Sequence, residues 1–160
     1  MNATLNGTSW SLSGKATIHQ VPNTNEFQLR ISGGDSRILI NNTSYELDLI
    51  VNAPAFSGTY PLIDYSASLA TRNTAGVRLN GLRQNVSFYS EGNNGSLELK
   101  QYKDYYGKGD LYIRGDYHFE ATVPNAGSPA GQEKIQVTNG QFFVPVDTTT
   151  ADYRAWKKMN

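Results

Sequence analysis

Apolar and polar residues alternate with a period of two along most of this chain. Because successive side chains of a β-strand point to opposite faces of a sheet, this period indicates strands that bury one face and expose the other. The clearest run covers residues 45–51, where tyrosine, leucine and valine alternate with Glu46 and Asp48 on the polar face until Ile50. The alternation predicts an all-β protein.

Turn signals separate the alternating runs. Asn6-Gly7 lies between two of them, and because both residues tolerate a positive φ, the pair predicts a tight hairpin. The polar stretch 53–82 predicts a long connection, and Gly115 predicts a bulge or a close approach to the backbone within a strand. Further turns or loops are predicted at Ser32–Asp35, Glu91–Gly95, Pro124–Gly131 and Asn139-Gly140.

The last part of the chain predicts a closing strand and one helix. Phe142–Val146 alternates again, and because proline has no N–H to donate, Pro145 confines this strand to a sheet edge or to a position where the N–H would face solvent. The tail from Thr150 to Lys158 predicts one or two helical turns, with Thr150 as N-cap, Asp152 in the first turn and two lysines at the end.

The pattern as a whole predicts a single β domain over residues 1–160. About nine or ten strands with frequent turns fit an antiparallel β-sandwich or a lipocalin-like barrel. One of these predicted strands passes through Ile38 and Ile40. Because strand alternation begins directly after Met1, we expect a mature domain cut from a longer, exported precursor.

Composition excludes several classes of function. Lys and Arg number 14 against 14 Asp and Glu, so the chain lacks the positive charge of a nucleic-acid-binding protein. It contains no cysteine, which excludes disulfides, thiolate metal ligands and a cysteine nucleophile. The absence of an apolar run of about eighteen residues predicts no transmembrane segment. Abundant Asn, Ser, Thr, Gly and Tyr are typical of secreted β proteins.

No motif assigns a catalytic residue, a metal or a cofactor. The two histidines, His19 and His118, are far apart in sequence and have no cysteine to complete a zinc site with them. Asp104, Asp110 and Asp116 lie close together, but they lack the spacing of an EF-hand loop. We therefore predict no catalytic residue, no metal site and no cofactor.

Tyrosines are concentrated in one part of the chain, at Tyr102, Tyr105, Tyr106, Tyr112 and Tyr117. Tyrosine offers a large amphipathic contact area at a low cost in conformational entropy, so it is common where proteins bind sugars or other proteins. These five residues are the predicted ligand-binding residues, and a binding surface made of them predicts several exposed, coplanar rings. The alternative is that some of them cover the core or pair across strands.

Four segments occur in an order that resembles a known family: Ala3–Trp10, Gly58–Leu62, Gly115–Ala121 and Val137–Phe142. Across nearly the whole chain they resemble uncharacterised envelope lipoprotein domains of Bacteroidota, a group of small β proteins of unknown function. The resemblance implies a β fold, a periplasmic or surface-exposed location at the cell envelope, and a lipid anchor on the precursor. It implies no activity and no functional residues.

These observations predict a non-catalytic binding or structural module at the cell envelope, with a carbohydrate or a protein as its ligand. One alternative is a lipocalin-like carrier of a small apolar ligand, which predicts an interior cavity lined by Phe and Leu side chains. Another is a carboxylate-dependent hydrolase, which predicts two buried acids in one cleft. These three functions stay open at the level of sequence.

Overall fold

The computed structural model describes residues 1–34, 44–81, 86–122 and 134–160. Within these ranges the chain forms ten strands and two helices, and the all-β prediction is confirmed. The strands are β1 (Asn2–Leu5), β2 (Thr8–Ser11), β3 (Gly14–Gln20), β4 (Phe27–Gly34), β5 (Tyr45–Asn52), β6 (Gly58–Pro61), β7 (Thr74–Gly81), β8 (Val86–Lys103), β9 (Leu111–Thr122) and β10 (Lys134–Pro145), and the helices are α1 (Tyr65–Ser68) and α2 (Ala151–Met159). The predicted strand through Ile38 and Ile40 and the predicted loop Pro124–Gly131 lie outside the described residues.

All ten strands belong to one antiparallel sheet that curls into a half-barrel. The strand order is β2-β1-β10-β9-β8-β7-β5-β4-β3, and β6 pairs with a later part of β8 than β7 does. A bridge between Ala16 and Val146 brings β3, at one end of the sheet, against the end of β10. Of the two predicted forms, sandwich and barrel, this curled sheet is nearer to the barrel.

The inner face of the sheet carries the hydrophobic core. Alternation along β9 shows how it is built, because the odd-numbered residues from Leu111 to Ala121 are buried and the even-numbered residues between them are not. The buried apolar side chains of the described strands form one cluster with those of α2, and removing them from water is the main stabilising contribution. The outer face of β8, β9 and β10 is left to polar and aromatic side chains.

Helix α2 confirms its sequence prediction. The Thr150 side chain accepts a hydrogen bond from the backbone N–H of Tyr153 at 3.1 Å, and Asp152 lies in the first turn. Tyr153 and Trp156 are buried, and the Trp156 ring stacks on Phe56 with centroids 5.6 Å apart. Neither helix in the described part of the chain has the length and apolar composition needed to span a membrane.

Three predicted turns are wrong, although the Asn6-Gly7 hairpin is confirmed by the direct pairing of β1 with β2. In the first, Ser32–Asp35, residues 32–34 continue β4 and pair with β5, and residue 35 lies outside the described residues. Glu91–Gly95 and Asn139-Gly140 lie inside single long strands, β8 and β10, where they form irregularities in the register. The residues on either side of each irregularity pair with β9, and this pairing keeps the two strands continuous, so tertiary structure overrides the local preference for turns.

The connection predicted over residues 53–82 is also wrong, because this stretch contains β6, α1 and β7. Strand β7 pairs with β5 along its whole length, and α1 packs against both strands. Ile50 is therefore buried although it lies on the outer face of β5. Asp48, predicted on the wet face, is buried in an ion pair with Arg78 at 3.1 Å.

Gly115 marks a close approach and not a bulge. The register with both neighbouring strands is regular through this residue, and the Phe142 ring of β10 packs so closely that a Cβ on Gly115 would clash with it. The bulge lies in β10 instead, between Val137 and Gly140. Gly140 in turn receives the ring of Tyr117, so each glycine accommodates an aromatic ring from the strand opposite.

Candidate functional site

Four of the five predicted tyrosines come together on the outer face of the sheet. Tyr102 near the end of β8 lies opposite Tyr112 near the start of β9, and Tyr105 and Tyr106 belong to the loop between these strands. Phe143 of β10, which is not among the residues predicted from the sequence, joins them. The side chains of Tyr105 and Tyr106 are 52% and 60% exposed. These five side chains form the aromatic patch.

Tyr105 lies at the centre of the aromatic patch. Its ring centroid is between 4.9 and 6.0 Å from the centroids of the other four rings. Tyr112 and Phe143 stack at 4.9 Å with an angle of 18° between their planes, whereas Tyr105 meets Tyr102 and Tyr106 at 89°. The rings of the patch therefore lie in different planes, and the expected coplanar arrangement is wrong.

Two of the predicted candidate aspartates hold the β8–β9 loop in shape. Asp104 Oδ1 accepts a hydrogen bond from the N–H of Gly109 at 2.6 Å, and Asp110 Oδ1 accepts one from the N–H of Tyr106 at 3.3 Å. The N–H of Asp104 also donates to the carbonyl of Asp110 at 2.7 Å. Because aspartate side chains that bind nearby N–H groups stabilise turns, these two residues position the loop tyrosines.

Contrary to the prediction, Tyr117 is a core residue. It lies five positions after Tyr112 on β9, and an odd separation along a strand places two side chains on opposite faces. Tyr117 is 3% exposed and stacks on Phe119 at 6.1 Å. Its hydroxyl has no hydrogen-bond partner among the described residues, and burial raises the pKa of this hydroxyl well above its usual value.

Polar side chains continue the outer face beyond the aromatic patch. The register sets Glu98 of β8, Asp116 of β9 and Gln141 of β10 side by side. Gln141 Nε2 donates a hydrogen bond to Asp116 Oδ1 at 2.9 Å, and His118 follows two positions along β9 on the same face. Glu98, Asp116, His118 and Gln141 form the polar strip.

The two acids of the polar strip each have a cation beside them. Lys100 Nζ is 3.1 Å from Glu98 Oε1, and Arg114 Nε is 3.9 Å from Asp116 Oδ2. The Glu98 and Asp116 side chains are 48% and 42% exposed, so water screens both pairs and they add little to stability. The result is a surface with balanced charge and many hydrogen-bonding groups.

Two clefts lie along this face and meet at Gln141. The first, of about 450 Å³, is lined by Tyr102, Tyr105 and Phe143 together with Arg114 and Gln141. The second, of about 720 Å³, contains the whole polar strip. A ligand in the first cleft contacts the aromatic patch, and one in the second contacts carboxylate, amide and imidazole groups.

A separate aromatic cleft of about 630 Å³ is lined by residues at the start of α1 and by residues of β8. It contains Tyr65 and Tyr89, with ring centroids 5.5 Å apart. The Arg78 guanidinium already lies over the Tyr65 ring at 5.7 Å, and burial raises the pKa of the Tyr65 hydroxyl. This cleft offers fewer and less exposed rings than the aromatic patch.

Metal ligation finds no support in the described ranges, which contain no group of three or more His, Asp or Glu side chains placed to hold an ion. His19 on β3 contacts Thr17, with 2.8 Å between Nε2 and Oγ1. His118 on β9 has Nδ1 3.5 Å from Ser96 Oγ. Each histidine thus has a polar neighbour on its own part of the sheet.

No protein-family model matches this chain, and neither curated proteins nor solved structures provide a match. The resemblance to envelope lipoprotein domains therefore stays a prediction.

Proposed function

We propose that this chain is a non-catalytic recognition module of the cell envelope that binds carbohydrate on the outer face of β8, β9 and β10. The observation that carries the proposal is the position of Tyr105, whose half-exposed ring rests on four other aromatic rings next to the polar strip. A cluster of this kind is typical of an interaction site, because the free energy of the system falls when a ligand covers aromatic surface that was exposed to water.

Carbohydrate is the ligand class that fits this combination of groups. A sugar ring has an apolar face of C–H groups that packs on an aromatic ring, and a rim of hydroxyls that donate and accept hydrogen bonds. The aromatic patch offers the first contact. Asp116, Gln141 and Arg114, which line the adjoining clefts, offer acceptors and donors for the second. A protein interface is instead built as an apolar centre within a polar rim.

The two other functions predicted from the sequence find less support. A carrier needs an open interior, but inward-facing residues such as Leu29, Leu47 and Phe119 are buried against one another in the core. A hydrolase needs buried acids, but Glu98 and Asp116, which share a cleft, are about half exposed and paired with cations. Both functions stay predictions without an observation in their favour.

Replacing Tyr105 with alanine is expected to weaken carbohydrate binding about 30-fold, the effect of losing roughly 2 kcal/mol at a binding hot spot. The measurement starts with the wild-type chain on a glycan array, followed by isothermal titration calorimetry of the best-bound glycan with both proteins. The large effect is expected because Tyr105 is the ring that contacts all the other members of the patch.

Two tyrosine variants serve as matched controls for this experiment. Tyr89→Ala removes a ring from the separate aromatic cleft, and Tyr117→Phe changes only a buried hydroxyl, so both are expected to bind the glycan as the wild type does. Unchanged affinity in Tyr105→Ala contradicts the proposed site. Binding of no glycan by the wild type contradicts the proposed ligand class and favours a protein ligand.

A further inference from the structure

We infer that the ligand is a single, uncharged oligosaccharide chain that lies lengthwise along β9 and occupies both clefts. The inference rests on the proposed function and narrows its ligand class. Three features of the outer face carry it: the continuity of the two clefts, the angles between the aromatic rings, and the pairing of charges in the polar strip.

The length of the surface requires a chain of several sugars. Tyr112 in the aromatic patch and His118 at the far end of the polar strip are six positions apart on β9, a distance of about 20 Å at about 3.3 Å per residue. The clefts meet at Gln141, which lines both of them. A single sugar ring fills a small part of this path, whereas an extended chain contacts the aromatic rings at one end and the polar strip at the other.

The geometry of the rings favours a single chain over an insoluble polysaccharide. A crystalline polysaccharide presents a flat face, and several aromatic rings can lie on such a face together only if they are coplanar. Tyr105 meets Tyr102 and Tyr106 at 89° and Phe143 at 66°. Rings at these angles border a groove, so they contact one chain from more than one side.

The charges of the polar strip favour a neutral chain. Glu98 is paired with Lys100 and Asp116 with Arg114, so the two positive charges are balanced by two negative ones and leave no excess positive charge to attract an acidic sugar. An acidic polysaccharide would bring its carboxylates next to those of Glu98 and Asp116, which is unfavourable. The hydroxyls of a neutral chain can instead donate charge-assisted hydrogen bonds to these carboxylates. They can also donate to the side-chain carbonyl of Gln141.

Calorimetric titration with oligosaccharides of graded length tests this inference. The probes are cello-, manno- and xylo-oligosaccharides from disaccharide to hexasaccharide, oligogalacturonates of the same lengths, and microcrystalline cellulose in a pull-down. We expect affinity for at least one neutral series to rise by tenfold or more from disaccharide to hexasaccharide. Oligogalacturonates and cellulose are expected to bind at least tenfold more weakly than the best neutral hexasaccharide.

Variants at the two ends of the path separate this inference from the proposed function. His118→Ala is expected to weaken hexasaccharide binding about tenfold and to leave disaccharide binding within twofold, whereas Tyr105→Ala weakens both. Glu120→Gln, on the same face of β9 beside Lys134, is the control and should change neither.

The contrary outcomes are distinguishable. The inference is overturned if affinity does not change with length, or if oligogalacturonates or cellulose bind preferentially. The proposed function still holds in that case if Tyr105→Ala weakens binding. Equal loss of disaccharide and hexasaccharide binding in His118→Ala also overturns it. If the wild type binds none of these probes and no glycan on the array, both the inference and the proposed function fail.

Discussion

Replacing Trp156 with alanine is expected to lower the free energy of unfolding by about 3–5 kcal/mol, a large part of the roughly 5–15 kcal/mol that stabilises a typical domain. Trp156 is buried, stacks on Phe56 at 5.6 Å and contacts the Tyr153 ring at 5.9 Å. The alanine variant loses these contacts and leaves a cavity beside a fully buried phenylalanine. It also removes the main apolar anchor of α2.

Urea denaturation followed by circular dichroism measures this effect. Met159→Ala changes an exposed residue at the end of the same helix and is expected to stay within about 0.5 kcal/mol of the wild type. Trp156→Phe should cost less than the alanine variant, because phenylalanine keeps part of the stacking and removes an indole N–H that has no partner among the described residues. A loss below about 1 kcal/mol in Trp156→Ala would show that α2 does not pack on the core as described.

Gly115→Ala is expected to cost about 1–3 kcal/mol, although alanine is normally well tolerated in a protein interior. The cause is a steric clash, because the tip of the Phe142 ring occupies the place of the added methyl group. Backbone strain does not contribute, since Gly115 is not in the left-handed region. Either the ring or the strand has to move, and both belong to the paired strands β9 and β10 that carry the proposed binding face.

A double-mutant cycle with Phe142→Leu tests this explanation. If the clash is with the ring, the second substitution relieves part of the cost of the first, and the two free energies should differ from additivity by about 0.5 kcal/mol or more. Gly34→Ala is the matched control, because a Cβ there meets only an ordinary contact at 3.4 Å from Glu46. Additive costs in the cycle, or a loss in Gly34→Ala as large as in Gly115→Ala, would contradict the explanation.

The features predicted correctly from the sequence depend on neighbouring residues alone. The period-two alternation, the Asn6-Gly7 hairpin and the Thr150 cap each follow from local backbone geometry, and all three are present. The wrong predictions at Glu91–Gly95 and Asn139-Gly140 have the opposite cause. Their turn preferences are real, but pairing with β9 over many residues outweighs them, and the pairing partners of a strand cannot be deduced from its own composition.

The candidate site was predicted in part. Four of the five tyrosines were correctly placed on a common surface, and Tyr117 could have been excluded by its odd separation from Tyr112 within a strand. Phe143 could not have been added without knowing that β10 pairs with β9 in the register that brings Phe143 next to Tyr112. The polar strip depends on the same register, because Glu98, Asp116 and Gln141 are distant in sequence and meet only across three strands.

The most direct test of the central claim is to map the bound glycan by NMR. Amide and aromatic spectra of the labelled protein would be recorded while the neutral oligosaccharide that binds most tightly is added. The largest shifts are predicted in Tyr102–Tyr112, Arg114–His118 and Asn139–Phe143, which surround the aromatic patch and the polar strip. Largest shifts at Asp64–Ser66 and Tyr89–Gly92, around the separate aromatic cleft, would contradict the account.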